Sequence, residues 1–164
     1  MTRRRLLRWV LGASAVGAAA PFVGAEDKSG RTAAKTFEVA MSDADWQKRL
    51  TPAQFTVLRR HGTERAGSSP LDKEYRRGVY HCAGCELPLF SSDTKFDSRT
   101  GWPSFWAPLP DAVGATADRS FFMVRTEVHC RRCGGHLGHV FDDGPKPTGL
   151  RYCMNGVALI FREA

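Results

Sequence analysis

Five cysteines mark where this 164-residue chain could do chemistry, and their spacing separates them into two kinds. Four form two C-x-x-C pairs, Cys82-Ala83-Gly84-Cys85 and Cys130-Arg131-Arg132-Cys133. Gly84 and Gly134-Gly135 give each pair a tight turn, so both thiolates of a pair can face one ion. Four sulfurs at about 2.3 Å complete a closed tetrahedral zinc site. The 44 residues between the pairs exceed the spacing of a simple zinc ribbon, so the ion would pin two distant β-turns together. The pattern predicts one structural Zn2+ per chain, held by Cys82, Cys85, Cys130 and Cys133. Two structural disulfides, or a thioredoxin-like redox motif, are the other readings of the same spacing.

The fifth cysteine, Cys153, is left over, and a leftover thiol is either an intermolecular bridge or a reactive group. It lies in Arg151-Tyr152-Cys153-Met154-Asn155, a strand-like run. Strand alternation puts Arg151, Cys153 and Asn155 on one face, and three polar or reactive groups there suit a site better than a core. Upstream, His136-Leu137-Gly138-His139 offers two imidazoles and Trp102-Pro103-Ser104-Phe105-Trp106 an aromatic cluster.

The elements that position these groups are legible in outline. Ser42-Asp43-Ala44-Asp45 ahead of Trp46 and Leu50 reads as a cap, an acidic first turn and the buried face of a short helix. Thr51-Pro52-Ala53-Gln54 supplies a second cap, with proline at the first helical position and a capping-box glutamine. Phe55 and Leu58 form that helix's buried side, and Gly62 is its expected terminator. Extended runs follow at Gly78 to Cys82, Leu87 to Phe90, Ser120 to His129, His139 to Phe141 and Arg151 to Phe161, separated by turn-forming clusters. The fold class is mainly β (α+β): two short N-terminal helices followed by an antiparallel β domain, spanning 37–164 without internal repeats.

The head of the chain reads as an address. Arg3, Arg4, Arg5 and Arg8 carry four of the +7 formal charges, and without them the excess is only +3. So small a remainder argues against nucleic acid as a partner. Behind the arginines come a Gly/Ala-rich apolar run and Val23-Gly24-Ala25, the order of basic region, apolar region and cleavage site. The segment 1–25 resembles a twin-arginine signal peptide, which implies export to a periplasmic or other extracytoplasmic space. Cleavage before Glu26 would leave 26–36 as a flexible polar linker and no stable membrane partner, with a retained anchor as the alternative. That route exports folded proteins, which favours a thiolate site already loaded with zinc.

Taken in order, the two Cys-x-x-Cys pairs, Gly101-Trp102-Pro103-Ser104-Phe105, His136-Leu137-Gly138-His139-Val140-Phe141, Asp143-Gly144-Pro145 and Arg151-Tyr152-Cys153-Met154-Asn155 resemble the methionine-R-sulfoxide reductases of B type. The likeness runs from about Phe37 to Phe161 and includes Arg60-His61-Gly62-Thr63-Glu64. It implies an enzyme that reduces the R epimer of methionine sulfoxide in oxidised proteins. Cys153 would be the nucleophile, its thiolate attacking the sulfoxide sulfur and ending as a sulfenic acid. An ordinary thiol is mostly protonated at neutral pH, so it needs a nearby cation or donor, for which His139 and Arg151 are the candidates. His139 also suits the acid that protonates the departing oxygen. Asn155 would hold a polar group or His139 in place, Asp143 would orient Arg151 or a water, and Trp102 would face the substrate methyl group. His136 and Phe105 are expected on the substrate side.

One position departs from many members of that family. A resolving cysteine stands there immediately before the Gly-Trp-Pro-Ser-Phe motif, and here the residue is Thr100. With four cysteines given to zinc, oxidised Cys153 would be reduced directly by an external, thioredoxin-like thiol donor. A monomer is expected. The competing functions are a zinc-knuckle binding module without catalysis, and a thiol peroxidase or disulfide oxidoreductase built on Cys153.

Overall fold

The computed structural model describes residues 37–119 and 124–164. The expected signal peptide and linker, and the first residues of the expected strand from Ser120, lie outside them.

Both helices begin as their caps dictate. Ser42 accepts the Asp45 N–H to open α1 (Asp43–Arg49), and Thr51 with Gln54 closes a reciprocal capping box on α2 (Pro52–Arg60). Trp46, Leu50, Phe55, Val57 and Leu58 form the buried faces. The second helix ends one residue earlier than expected: His61, not Gly62, takes the left-handed conformation, at φ 54. Gly62 serves the turn differently, donating its N–H to the Thr56 carbonyl at 3.0 Å in a space where a Cβ would crowd Thr56.

Among the described residues, nine strands make two sheets, every pairing antiparallel: β1 (Gly78–Cys82), β2 (Pro88–Ser91), β3 (Lys95–Phe96), β4 (Ser104–Phe105), β5 (Val113–Asp118), β6 (Arg125–Cys130), β7 (His136–Phe141), β8 (Arg151–Met154) and β9 (Leu159–Glu163). The smaller sheet runs β2-β1-β9 and the larger β3-β4-β8-β7-β6-β5. Tyr80, Leu89, Phe90, Phe105, Val128, Leu137 and Met154 are fully buried, with the Phe90 and Phe105 rings stacked at 4.4 Å. No helix among the described residues is long and apolar enough to cross a membrane.

Three expectations are corrected. The run Arg151 to Phe161 is not one strand: β8 stops at Met154, a 3-10 turn covers Gly156–Ala158, and β9 continues in the other sheet. The break follows from the Glu64 carboxylate, which accepts the N–H groups of Gly156 at 2.5 Å and Val157 at 3.0 Å and so takes them out of a ladder. β7 starts at His136 rather than His139, and Gly138 lets it lie close to β8, since a Cβ there would run into the Cys153 carbonyl. β5, Val-Gly-Ala-Thr-Ala-Asp at the sheet edge, adds a strand that the sequence does not announce, because the segment lacks apolar alternation.

Candidate active site and metal centre

The two cysteine pairs close two turns of matching shape. Cys82 ends β1 and Cys130 ends β6, and their carbonyls accept from Glu86 and Gly134, residues held in the left-handed region at φ 60 and φ 68. Each turn swings its second cysteine back, and all four thiols are buried. One ligand atom from each lies within 4.8 Å of the others. The Sγ atoms of Cys82 and Cys133 are 3.7 Å apart and those of Cys85 and Cys130 3.5 Å, with no disulfide among them. Sulfurs bound tetrahedrally at 2.3 Å would sit about 3.8 Å apart, so the donor set fits zinc, and the disulfide reading falls. The thiols perturb one another strongly, neighbouring sulfurs holding Cys85 and Cys130 below the ordinary thiol range and pushing Cys82 and Cys133 above it.

Cys153 sits elsewhere, at the centre of the larger sheet. Register places it opposite His139 on β7 and Ser104 on β4. It opens on a small hollow of about 130 Å³, lined also by Trp102, His139, Asn155, Thr63, Arg125, Gly138 and Phe141. That volume suits a side-chain terminus of a few heavy atoms.

Burial raises the Cys153 thiol above its ordinary value, opposed first by the charge of Arg151 and then by hydroxyls. Arg151 is held in place by a two-pronged ion pair with Asp143, both bonds 2.8 Å, and its guanidinium lies 4.4 Å over the Phe141 ring. Thr100 Oγ1 lies 3.9 Å from the sulfur and continues through Ser98 and Ser104, at 2.8 and 2.7 Å, to the Trp102 carbonyl. The residue in the place of a resolving cysteine thus reaches Cys153 as a hydroxyl, which can hydrogen-bond but cannot form a disulfide.

His139 is fixed from behind by Asp118, Nε2 to Oδ2 at 2.8 Å, and the same carboxylate oxygen accepts from Arg125 at 2.8 Å. Burial lowers the imidazole's pKa, and the hydrogen bond to Asp118 works against that. Trp102 donates its indole N–H to the Glu64 carbonyl at 3.2 Å.

Some expected placements hold and others change. Asn155 lies just beyond β8 and lines the Cys153 hollow, and of the two partners expected for it, a polar group or His139, it holds the former: its Oδ1 accepts the Glu64 N–H at 2.9 Å and its Nδ2 donates to the Leu137 carbonyl at 3.1 Å. Phe105 has no exposed surface to offer a substrate, being stacked in the core between Phe90 and Tyr80. His136 is buried against Glu127, Nδ1 to Oε1 at 2.8 Å, and does not line the Cys153 hollow, although its ring is 5.4 Å from that of His139. Asp143, expected to orient Arg151 or a water, lies outside the hollow and makes its ion pair with Arg151.

Three residues of the site carry no functional signal in the sequence reading: Glu64, Asp118 and Arg125. Glu64 belongs to the Arg60-His61-Gly62-Thr63-Glu64 motif, next to Thr63, and that motif is the one pointer to it. Asp118 and Arg125 flank residues 119–124, where no periodicity marks either as inward-facing.

The SelR domain family matches residues 50–163. The chain is 55% identical over 125 residues to the peptide methionine sulfoxide reductase MsrB of Agrobacterium fabrum, covering 76% of this chain and 93% of that protein. The MsrB of Leptospira interrogans is 54% identical over 128 residues, covering 77% and 98% of the two chains. A chloroplastic peptide methionine sulfoxide reductase B1 of Oryza sativa is 49% identical over 128 residues, 77% of this chain and 60% of that protein.

Proposed function

Because this chain belongs to the SelR-domain family, to which the peptide methionine sulfoxide reductases it matches also belong, we propose that it reduces methionine-R-sulfoxide in oxidised proteins to methionine, with Cys153 as nucleophile. The observation that carries this reading is the convergence of Cys153, His139 and Trp102 on one small hollow. The Cys153 thiolate attacks the sulfoxide sulfur, the S–O bond of the substrate breaks as its oxygen is protonated, and methionine leaves reduced by two electrons. Cys153 is oxidised by the same two electrons to a sulfenic acid.

Each neighbour has a task that its position allows. Trp102 offers an apolar face to the methyl group. His139, partly buried and backed by Asp118, supplies the proton. Arg151 favours the thiolate against the cost of burial. The four-cysteine zinc, when bound, ties the turn after β1 to the turn after β6 and takes no part in the reaction.

Thr100 stands in the resolving position and the other four cysteines form the metal cluster, so two electrons come from outside. An external thioredoxin-like dithiol attacks the sulfenic acid, releasing water and leaving a mixed disulfide that its second thiol resolves. The protein acts as a monomer in an extracytoplasmic space, delivered by a twin-arginine signal over 1–25, with 26–36 as the linker. The basic run Arg3-Arg4-Arg5 and the small-residue stretch before Glu26 support that reading.

The test is turnover of separated R and S epimers of a peptide-like methionine sulfoxide with a small dithiol, comparing wild type and Cys153→Ser. The expected result is R-only reduction that the substitution abolishes. No turnover of either epimer by folded, zinc-loaded protein overturns the reading.

A further inference from the structure

Thr100 reaches the Cys153 sulfur from outside the substrate hollow: its Oγ1 stands 3.9 Å from Sγ, yet the residue does not line that hollow. The loop that carries it is tied on both flanks. Asp97 Oδ1 accepts the N–H of Arg99, a residue in the left-handed region at φ 59, and the Gly101 carbonyl accepts the Gly67 N–H. Behind Thr100 the hydroxyls of Ser98 and Ser104 follow at 2.8 and 2.7 Å.

The far end of this chain of hydroxyls has a fixed polarity. Ser104 is fully buried on β4, and its one proton goes to the Trp102 carbonyl at 3.0 Å, which leaves its oxygen to accept from Ser98. The Thr100 hydroxyl keeps a choice, between Ser98 and the sulfur. A Cys153 thiol donates to Thr100, whose own proton then turns to Ser98. A thiolate accepts instead, and the same proton turns to the sulfur. Burial raises the thiol, and the charge of Arg151 and then the hydroxyl of Thr100 oppose that rise.

We propose that Thr100 is a catalytic hydrogen-bond donor, giving its O–H to the Cys153 thiolate before attack and to the oxygen of the sulfenic acid after it. Ser98 and Ser104 are positioning residues that aim it. The second role rests on the reductase reading above. Rotation about the Cβ–Sγ bond carries the sulfenic oxygen out of the hollow, and an oxygen on the Thr100 side of the sulfur falls within hydrogen-bond reach of Oγ1 across the 3.9 Å gap. The sulfur then faces the hollow bare, open to the external thiol. As that thiol's sulfur attacks, the S–O bond breaks and the departing hydroxyl leaves as water with the thiol's proton. Thr100 gives up no proton at any step. A donor on the sulfenic oxygen also draws electron density from the sulfur, which slows a second oxidation and keeps Cys153 on the reversible rung.

The test uses the full chain loaded with zinc, as wild type, Thr100→Val, Thr100→Ser and Ser98→Ala. The charged or titratable groups that face the sulfur or its hollow, Arg151 on its own strand, His139 on β7 and Arg125 on β6, stay in place in all four. Iodoacetamide alkylation of Cys153 is followed against pH, and its passage from sulfenic to sulfinic acid in excess hydrogen peroxide is followed by mass spectrometry. Thr100→Val is expected to slow alkylation about tenfold at pH 7, with the midpoint displaced to higher pH, and to reach sulfinic acid about fivefold faster. Thr100→Ser recovers most of both. Ser98→Ala, which does not line the hollow, moves both part of the way and carries the same reading should the valine variant not fold. An alkylation profile or a sulfinic acid rate unchanged in folded Thr100→Val overturns the proposal. Neither readout uses a sulfoxide, so failure here and failure of the reductase reading are told apart.

Discussion

The backbone N–H of Glu64 donates to Oδ1 of Asn155 at 2.9 Å, while the Glu64 carboxylate accepts the next two N–H groups of the chain, from Gly156 and Val157. The Glu64 carbonyl also receives the Trp102 indole N–H. One residue thus fixes the turn that follows Cys153 and the aromatic face across from it. Glu64→Ala strands two backbone donors, at a cost of about 1–3 kcal/mol each if they stay dry. The expected outcome is an earlier urea-unfolding midpoint and a KM raised about tenfold, as the turn after Cys153 loosens and the Glu64 backbone that holds Trp102 and Asn155 loses its carboxylate tether to Gly156 and Val157. Glu64→Gln retains an acceptor oxygen and should recover part of both. Equal KM in all three proteins would show that Glu64 serves stability alone.

The zinc cluster is legible in the residues themselves, because C-x-x-C and a following left-handed turn are local signals repeated twice. The helix starts are legible for the same reason, each written in four consecutive residues. The break after Met154 is not, since it depends on a carboxylate 92 residues upstream in the chain. Phe105 departs from expectation for a similar reason: an aromatic beside a site motif need not face the substrate when the sheet turns it inward. Asp118 and Arg125 are silent in the sequence because their partnership is made by strand pairing, Asp118 opposite Arg125, between segments without a distinguishing pattern.

Arg151 is the one charge that lowers the Cys153 thiol against the larger effect of burial. Removing it as Arg151→Ala leaves desolvation less opposed, so the thiol pKa moves further up and the thiolate fraction at neutral pH falls. Iodoacetamide alkylation of Cys153 should then slow about tenfold at pH 7, with its midpoint displaced to higher pH. Asp143→Asn, which loosens Arg151 without deleting its charge, should give a smaller change in the same direction. An alkylation profile unaltered in Arg151→Ala would remove Arg151 from the account of reactivity.

His139 has its pKa lowered by burial, and the Asp118 hydrogen bond and charge oppose that lowering. An acid of this kind works only while protonated, so activity is lost as pH rises through its folded pKa. Asp118→Asn removes the opposing contribution, so the pKa falls further and the alkaline limb of kcat/KM moves to lower pH. About a tenfold loss at pH 7 is expected, with less loss at acid pH. A limb that stays in place would mean that another group delivers the proton.

Zinc and catalysis should separate cleanly. The cysteine cluster joins the ends of β1 and β6, strands that lie in different sheets, and none of its residues lines the Cys153 hollow. Removing one ligand as Cys130→Ser, or stripping the ion with a strong chelator, leaves buried thiols without the charge that reconciles them. The loss should be several kcal/mol, a fall of about 10 °C or more in melting temperature. Protein that remains folded at low temperature should still reduce the sulfoxide at a kcat close to wild type, because the ion neither touches substrate nor holds Cys153. A kcat that collapses in molecules shown by circular dichroism to be folded would instead tie the knuckles to the geometry of β7 and β8, through β6, which pairs with β7 along four register positions.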